Sequence, residues 1–312
     1  MNKRLSVAAL FILVVALVVG RADAAEPCPA DSVTGLVEGK RISILVEGKG
    51  PDIVLVPGLS TPRAVWEATA ERLKPRYRLH RVQIRGFGDD AGLNADGPVL
   101  EPMMREVADY IDDCITDAGH PAPAIIGHSM GGLTGLMIAA RAPQEVGRLM
   151  IVDAVPFIGT LFFPGATVEM MKPQAETMAA TMRRQLAGGW PTGPLTDPGE
   201  ASPMGRMSNN PAGRIRVAEW TRASDPQVIA QVLYDVMTTD LRPELSGVTA
   251  PVTLLYAQDD SALPAAMAKA AFEPQYTGIA DFRPQMISGS RHFIMLDQPQ
   301  AFAAAVDTFL AD

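Results

Sequence analysis

The sequence predicts an α/β protein: a mostly parallel sheet with helices on both faces and a helical cap inserted into it. Strands and helices alternate from residue 41 to residue 154, a pattern typical of a parallel sheet. Some strands are continuous apolar runs, such as "DIVLVPG" at 52–58, as expected of strands buried on both faces. The alternation then stops and resumes near residue 250. The predicted units are a core (25–154 and 250–312) and a cap (155–249).

Local patterns place the individual elements. The helix at 61–73 has Thr61 as its cap and Pro62 in its first turn, and the helix at 100–119 is amphipathic. The predicted core strands are 41–48, 52–58, 77–84, 123–128, 146–154, 251–257 and 282–287, and further core helices lie at 130–143, 263–272 and 300–310. The predicted cap helices are 167–189, interrupted by Pro173, 212–223 and 225–240.

The N-terminal residues 1–24 have the pattern of a secretory signal. A basic "MNKR" precedes the uncharged apolar run "LSVAALFILVVALVVG", and Ala22 and Ala24 form a small-x-small cleavage site. A cleaved signal places the mature protein in the periplasm or outside the cell, with no stable membrane insertion. An uncleaved signal would instead anchor the chain in the membrane.

Composition excludes several function classes. The formal net charge of -8 argues against nucleic-acid binding, which requires a basic surface. A hydrophobic fraction of 47% is enough for a large core and argues against disorder. No constellation with metal-ligand spacing occurs, and we expect neither a metal nor another cofactor.

The two cysteines, Cys28 and Cys114, leave two alternatives open. Export to an oxidising compartment would permit a disulfide between them. Otherwise Cys114 is a small core residue and Cys28 lies in a terminal tail.

The motif Gly127-x-Ser129-x-Gly131 follows a buried strand and opens a helix. This is the context of a nucleophile elbow, in which a strained turn lifts the serine hydroxyl above the sheet. Ser129 is therefore the candidate nucleophile.

A serine nucleophile needs a base, and the chain has only four histidines. His80 lies within a strand, His120 lies in the loop before the nucleophile strand, and His128 points away from its neighbour Ser129. His292 follows the last strand, at the sheet edge where the carboxyl ends of parallel strands gather. His292 is therefore the candidate base.

The positions in the sequence do not decide which carboxylate orients the base. Asp259 and Asp260 follow strand 251–257, and Asp153 ends strand 146–154. Any of these carboxylates could orient His292 and stabilise its protonated form. The predicted oxyanion donors are the backbone N–H of Met130 and that of Leu59, with Ser60 as the second choice for the latter.

Several motifs together resemble those of a known family. They are "VLVPGLS", "RGFG", "GHSMGG", "DLRPEL" with "APVTLLYAQDD", and "RHFIMLDQPQAF". On these motifs the chain resembles the α/β-hydrolase superfamily, in its capped esterase-like branch. It departs at Pro57, where many relatives have histidine, and at Ala257, where glycine is usual. A serine at the elbow separates it from dehalogenase and epoxide-hydrolase relatives, which carry aspartate there.

The resemblance implies that Asp260 is the acid, completing a triad of Ser129, Asp260 and His292. It also implies a serine hydrolase that cleaves small-molecule carboxylic esters, with hydrophobic or small acyl groups, through an acyl-enzyme. The alternatives are a lactonase, a thioesterase or a carbon–carbon bond hydrolase of the same fold, or a non-catalytic binding protein.

Apolar cap residues are candidates for an acyl-binding surface, although the same residues would also serve to pack the cap onto the core. The candidates are Phe157, Phe162, Met170, Met171 and Trp190.

Overall fold

An eight-stranded sheet forms the centre of the computed structural model, which describes residue 28, residues 34–190 and residues 192–311. The predicted signal at 1–24 lies outside the described residues. The strands are β1 (Gly35–Glu38), β2 (Ile42–Gly48), β3 (Asp52–Val56), β4 (Arg78–Ile84), β5 (Ala124–His128), β6 (Arg148–Val152), β7 (Val252–Gln258) and β8 (Phe282–Ser288).

The strand order is β1-β2-β4-β3-β5-β6-β7-β8. The strands from β4 to β8 in this order run parallel, whereas β1 and β2 pair antiparallel at one edge. All residues of β3 and β4 are buried, and β3 is correspondingly apolar apart from Asp52. The predicted fold class is therefore confirmed.

Helices cover both faces of this sheet and form the segment between β6 and β7. The helices are α1 (Glu67–Leu73), α2 (Leu100–Ile111), α3 (Met130–Arg141), α4 (Val168–Gln185), α5 (Pro211–Ala223), α6 (Pro226–Met237), α7 (Ala265–Phe272), α8 (Ile294–Asp297) and α9 (Pro299–Ala311). Separate apolar clusters fill the two faces of the sheet. Because β6 and β7 are neighbours in the sheet, the helical segment between them leaves the strand order undisturbed.

Three local predictions differ from the structure. Strand β1 was not predicted, because four residues that include a glycine and alternate in exposure give a weak signal. Helix α4 continues through Pro173, which the sequence predicts as an interruption. Pro173 lies near the start of α4, so the missing N–H removes only one hydrogen bond between turns. Helix α2 ends at Ile111 and is followed by a π-turn, Asp112–Thr116.

A buried polar network lies at the end of the sheet opposite to Ser129. Asp52, the first residue of β3, accepts hydrogen bonds from His80 Nε2 at 2.8 Å and from His120 Nδ1 at 2.9 Å. Burial alone would raise the pKa of Asp52, but the hydrogen bond from His80 and the charge of Arg78 outweigh it and hold the pKa below its usual value. The network therefore keeps both histidines away from Ser129.

A disulfide joins Cys28 to Cys114, and the two Cα atoms lie 5.4 Å apart. Cys114 is buried in the π-turn that follows α2. Of the two alternatives that the sequence leaves open, the structure thus has the bonded one. Within the described part of the chain, no helix has the length and apolar character needed to cross a bilayer.

Replacing both cysteines with serine is expected to lower the free energy of unfolding by roughly 2–4 kcal/mol, because the bond closes a long loop in the unfolded chain. The two cysteines are 86 residues apart in sequence. Urea denaturation of the oxidised protein and of the Cys28→Ser/Cys114→Ser variant measures the difference. Hydrolytic activity of the folded variant should stay unchanged, since neither cysteine lies in a loop that carries Ser129 or His292. Equal stability of the two proteins would contradict this expectation.

Candidate active site

Ser129 occupies a strained turn between β5 and α3. Its φ is 53°, a left-handed conformation that costs a non-glycine residue about 1–3 kcal/mol. The Ser129 N–H donates to the Val152 carbonyl at 2.8 Å, which ties the turn to the end of the neighbouring strand β6. Ser129 is partly exposed and stands at the N-terminus of α3, where the helix dipole favours developing negative charge.

The glycines around Ser129 allow close backbone contacts. A Cβ on Gly127 would lie 2.2 Å from the Gly131 carbonyl oxygen, and a Cβ on Gly131 would lie 2.2 Å from the Val56 carbonyl oxygen. Either side chain would collide with backbone that cannot move away. The turn therefore requires glycine at both positions, as the elbow motif predicts.

His292 lies beside this turn, in the loop between β8 and α8. Its ring packs against that of His128, the residue before Ser129, with the ring centroids 4.6 Å apart. Nδ1 of His292 donates to Oδ2 of Asp153 at 2.7 Å. With Nδ1 bonded to a carboxylate, Nε2 is the ring nitrogen left to act on a serine hydroxyl.

Asp153 is held in place by backbone groups of β7. Its own N–H donates to the Leu255 carbonyl at 2.7 Å, and its Oδ1 accepts the Ala257 N–H at 2.8 Å. Asp153 also has a left-handed φ, 52°, directly after β6. Its side chain is only 9% exposed, so one carboxylate oxygen is fixed by the sheet while the other faces His292.

The expectation that Asp260 orients His292 is wrong for this structure. Asp260 is exposed, and its carboxylate accepts from the side-chain amide of Gln258 at 2.7 Å. Asp259 instead pairs with Arg291, at 2.9 Å between carboxylate and guanidinium. The carboxylate at the end of β6, considered as an alternative from the sequence, therefore takes the position next to the base.

Arg291 was missed by sequence reasoning, although it directly precedes the candidate base. Besides Asp259, its guanidinium donates to the Ser261 hydroxyl and to the Gly205 carbonyl of the cap. The backbone N–H of Arg291 donates to the Asp297 carboxylate at 2.9 Å. A cation next to the base needs a carboxylate partner, and in the structure this partner is Asp259.

His128 supports the site from below. It is fully buried, and its Nε2 donates to the His292 carbonyl at 3.0 Å. Burial, together with the neighbouring His292, lowers the pKa of His128 well below its ordinary value. His128 therefore stays neutral and holds the backbone of the His292 loop.

The turn after β3 begins beside Ser129. A Cβ on Gly58 would lie 3.1 Å from Ser129 Cβ, so Leu59 follows at the position expected of an oxyanion donor. Met130, the other candidate donor, is the first residue of α3 and follows Ser129 directly. Met130 thus adjoins the candidate nucleophile, and Leu59 follows the residue that packs against it.

The apolar cap candidates do not form one surface. Phe157 and Met171 are fully buried in the cap's own core, where the Arg242 guanidinium lies over the Phe157 ring. Phe162 and Met170 are about half exposed, at 50% and 55%. Trp190 is partly buried and donates its indole N–H to the Ser224 carbonyl. In this arrangement Phe157 and Met171 stabilise the cap, as the packing alternative expects.

A model of the alpha/beta hydrolase family matches residues 53–305. The chain belongs to the alpha/beta hydrolase family. Its curated relatives include pimeloyl-[acyl-carrier protein] methyl ester esterases. The one from Nitrosomonas europaea is 25% identical over 287 residues, which cover 85% of this chain and 98% of that protein. The one from Vibrio campbellii is 28% identical, with 85% and 96% covered.

Solved structures of alpha/beta hydrolases share the fold. A thermophilic esterase from Thermogutta terrifontis superposes with a TM-score of 0.69 at 19% identity, covering 89% of this chain and 98% of that chain. An esterase from Exiguobacterium antarcticum gives a TM-score of 0.67, also at 19% identity, covering 91% of this chain and 100% of that chain. These likenesses confirm the architecture, and the esterase relatives make a hydrolase of esterase type the coarse functional assignment.

Asp153→Asn is expected to lower kcat for a p-nitrophenyl ester on the order of 10³- to 10⁴-fold, because an amide would hold the wrong His292 tautomer. Asp260→Asn, an exposed change, should have little effect. Asp259→Asn should fall between the two, since Arg291 would lose its partner. Melting temperatures of the three variants separate misfolding from loss of chemistry. A severe Asp260→Asn with a mild Asp153→Asn would return the acid to the position that the family resemblance implies.

Proposed function

We propose that this protein is an exported serine esterase that hydrolyses small-molecule carboxylic esters through Ser129, His292 and Asp153. The observation that carries the proposal is the 2.7 Å bond between His292 and Asp153, beside the strained turn at Ser129. A buried carboxylate, an imidazole and a serine at a helix N-terminus form the arrangement that acyl transfer requires.

In the proposed reaction, Ser129 Oγ attacks the ester carbonyl carbon and its proton passes to His292 Nε2. Asp153 stabilises the imidazolium that forms. The carbonyl oxygen becomes an oxyanion and accepts hydrogen bonds from the N–H groups of Leu59 and Met130. Return of the proton to the leaving alcohol gives the acyl-enzyme. A water molecule, deprotonated by His292, then releases the acid and restores Ser129.

The ester class is supported by the relatives, whose names describe methyl ester esterases. We propose a small or hydrophobic acyl group, because the cap places an aromatic side chain beside the base. Among the cap residues, Trp220 lies against Phe293, next to the base, with ring centroids 6.0 Å apart. An aromatic surface at this position favours an apolar substrate over a highly charged one.

Export is supported by two independent features. Residues 1–24 have the basic, apolar and small-x-small order of a secretory signal. The Cys28–Cys114 disulfide is of the kind that persists in oxidising compartments and is rare in the cytosol. Cleavage after Ala24 would leave Cys28 on the mature chain and so preserve the bond.

Ser129→Ala is expected to fold normally and to lose on the order of 10⁴-fold or more in kcat, because the nucleophile is removed. A fluorophosphonate probe should label the wild-type protein on Ser129 and leave the variant unlabelled, as judged by peptide mass spectrometry. Ser246→Ala, a change of an exposed serine in the segment before β7, serves as the matched control and should keep full labelling. A Ser129→Ala variant that retains half of its esterase activity would end the proposal.

The intact mass of the exported protein tests the compartment. A chain that begins at Ala25 and carries no alkylatable thiol before reduction is the expected result. Ala24→Leu is the control, since a large residue at the cleavage site should block processing and raise the mass by the signal. A mature protein that retains residues 1–24 would contradict cleavage, and two free thiols would contradict the oxidised state.

A further inference from the structure

Strained backbone marks three positions around the candidate active site. Ser60, Ser129 and Asp153 are the non-glycine residues with positive φ in the described part of the chain, at 51°, 53° and 52°. Two of the three are members of the proposed triad. Strain of this kind persists only where the surrounding structure holds it, and it concentrates at functional sites. Ser60 therefore calls for a functional explanation of its own.

Ser60 lies in the turn that presents the Leu59 N–H. The Gly58 carbonyl accepts the Thr61 N–H at 3.3 Å, and the Thr61 hydroxyl donates to the Leu59 carbonyl at 2.9 Å. Ser60 occupies the third position of this turn, where a positive φ normally favours glycine. The Gly58 carbonyl points into the turn, where it accepts the Thr61 N–H. Because the trans peptide between Gly58 and Leu59 is planar, the Leu59 N–H points the opposite way, out of the turn. The direction of the oxyanion donor thus depends on the turn that Ser60 completes.

A cap residue holds the side chain of Ser60. The Ser60 hydroxyl lies 3.2 Å from the hydroxyl of Thr221, on α5. Trp220, the residue before Thr221, packs against Phe293, which follows the candidate base. Consecutive residues of one cap helix therefore contact the turn with the oxyanion donor and the loop with the base.

We propose that Ser60 and Thr221 are positioning residues: their hydroxyl pair holds the Gly58–Thr61 turn so that the Leu59 N–H points at the oxyanion. The inference rests on the proposed esterase reaction and adds to it that the cap takes part in assembling the oxyanion site. Thr221 acts on the transition state through Ser60 and Leu59. Its loss should therefore lower kcat more than it raises KM.

The test compares Thr221→Val, which keeps the shape and removes the hydroxyl, with Thr221→Ser, which keeps the hydroxyl. We expect Thr221→Val to lower kcat and the rate of fluorophosphonate labelling by about tenfold, the effect of one weakened donor alignment. Thr221→Ser should retain near wild-type rates. Binding of a boronic acid, which mimics the oxyanion intermediate, should weaken in parallel with kcat, while KM changes little.

Thr177→Val is the matched control, because Thr177 is on cap helix α4 and its hydroxyl bonds to the Pro173 carbonyl of the same helix. This control should leave kcat unchanged. The inference is overturned if Thr221→Val keeps kcat within about twofold of wild type, or if Thr221→Ser loses as much as Thr221→Val. Failure of the proposed function is a separate result, in which the wild-type protein is not labelled on Ser129 at all.

Discussion

The left-handed backbone of Ser129 is the constraint on which the rest of the site depends. This conformation lets the chain leave β5 and enter α3 within one residue. At the same turn, backbone of β3 packs closely against Gly131. The Ser129 N–H bond to Val152 then fixes the turn against the end of β6. Since Asp153 follows Val152 directly, the bond that holds the candidate nucleophile also fixes the start of the loop that carries the carboxylate.

This coupling explains why the carboxylate at the end of β6 can bond to a base in the loop that follows β8. Asp153 takes its orientation from the Leu255 carbonyl and the Ala257 N–H, both on β7, and thus faces away from its own strand. The His292 loop reaches it because Arg291 is pinned by Asp259 after β7 and by the Gly205 carbonyl of the cap. The two carboxylates have different roles: Asp153 contacts the imidazole, and Asp259 binds Arg291, the residue before His292.

The sequence predicted the sheet, the elbow and the base because each has a local signal. Apolar runs mark the strands, Gly127 and Gly131 mark a turn in which a side chain cannot fit, and few histidines compete with His292. The partner of His292 has no such signal. Strands β6 and β7 are neighbours and end on the same edge, so their terminal carboxylates are equivalent until the side chains are placed. The family resemblance favoured Asp260, whereas in the structure His292 bonds to Asp153, Asp259 pairs with Arg291 and Asp260 is exposed.

The contacts of the cap with the core indicate that the part of the cap nearest the sheet is part of the site and does not merely cover it. The Met207 carbonyl accepts the Phe293 N–H at 2.9 Å, and the Asn209 side chain donates to the Gly289 carbonyl at 2.6 Å. On the other side of Ser129, the Asp225 N–H donates to the Gly86 carbonyl at 2.7 Å. Separating these segments would break backbone hydrogen bonds on both sides of the nucleophile at once.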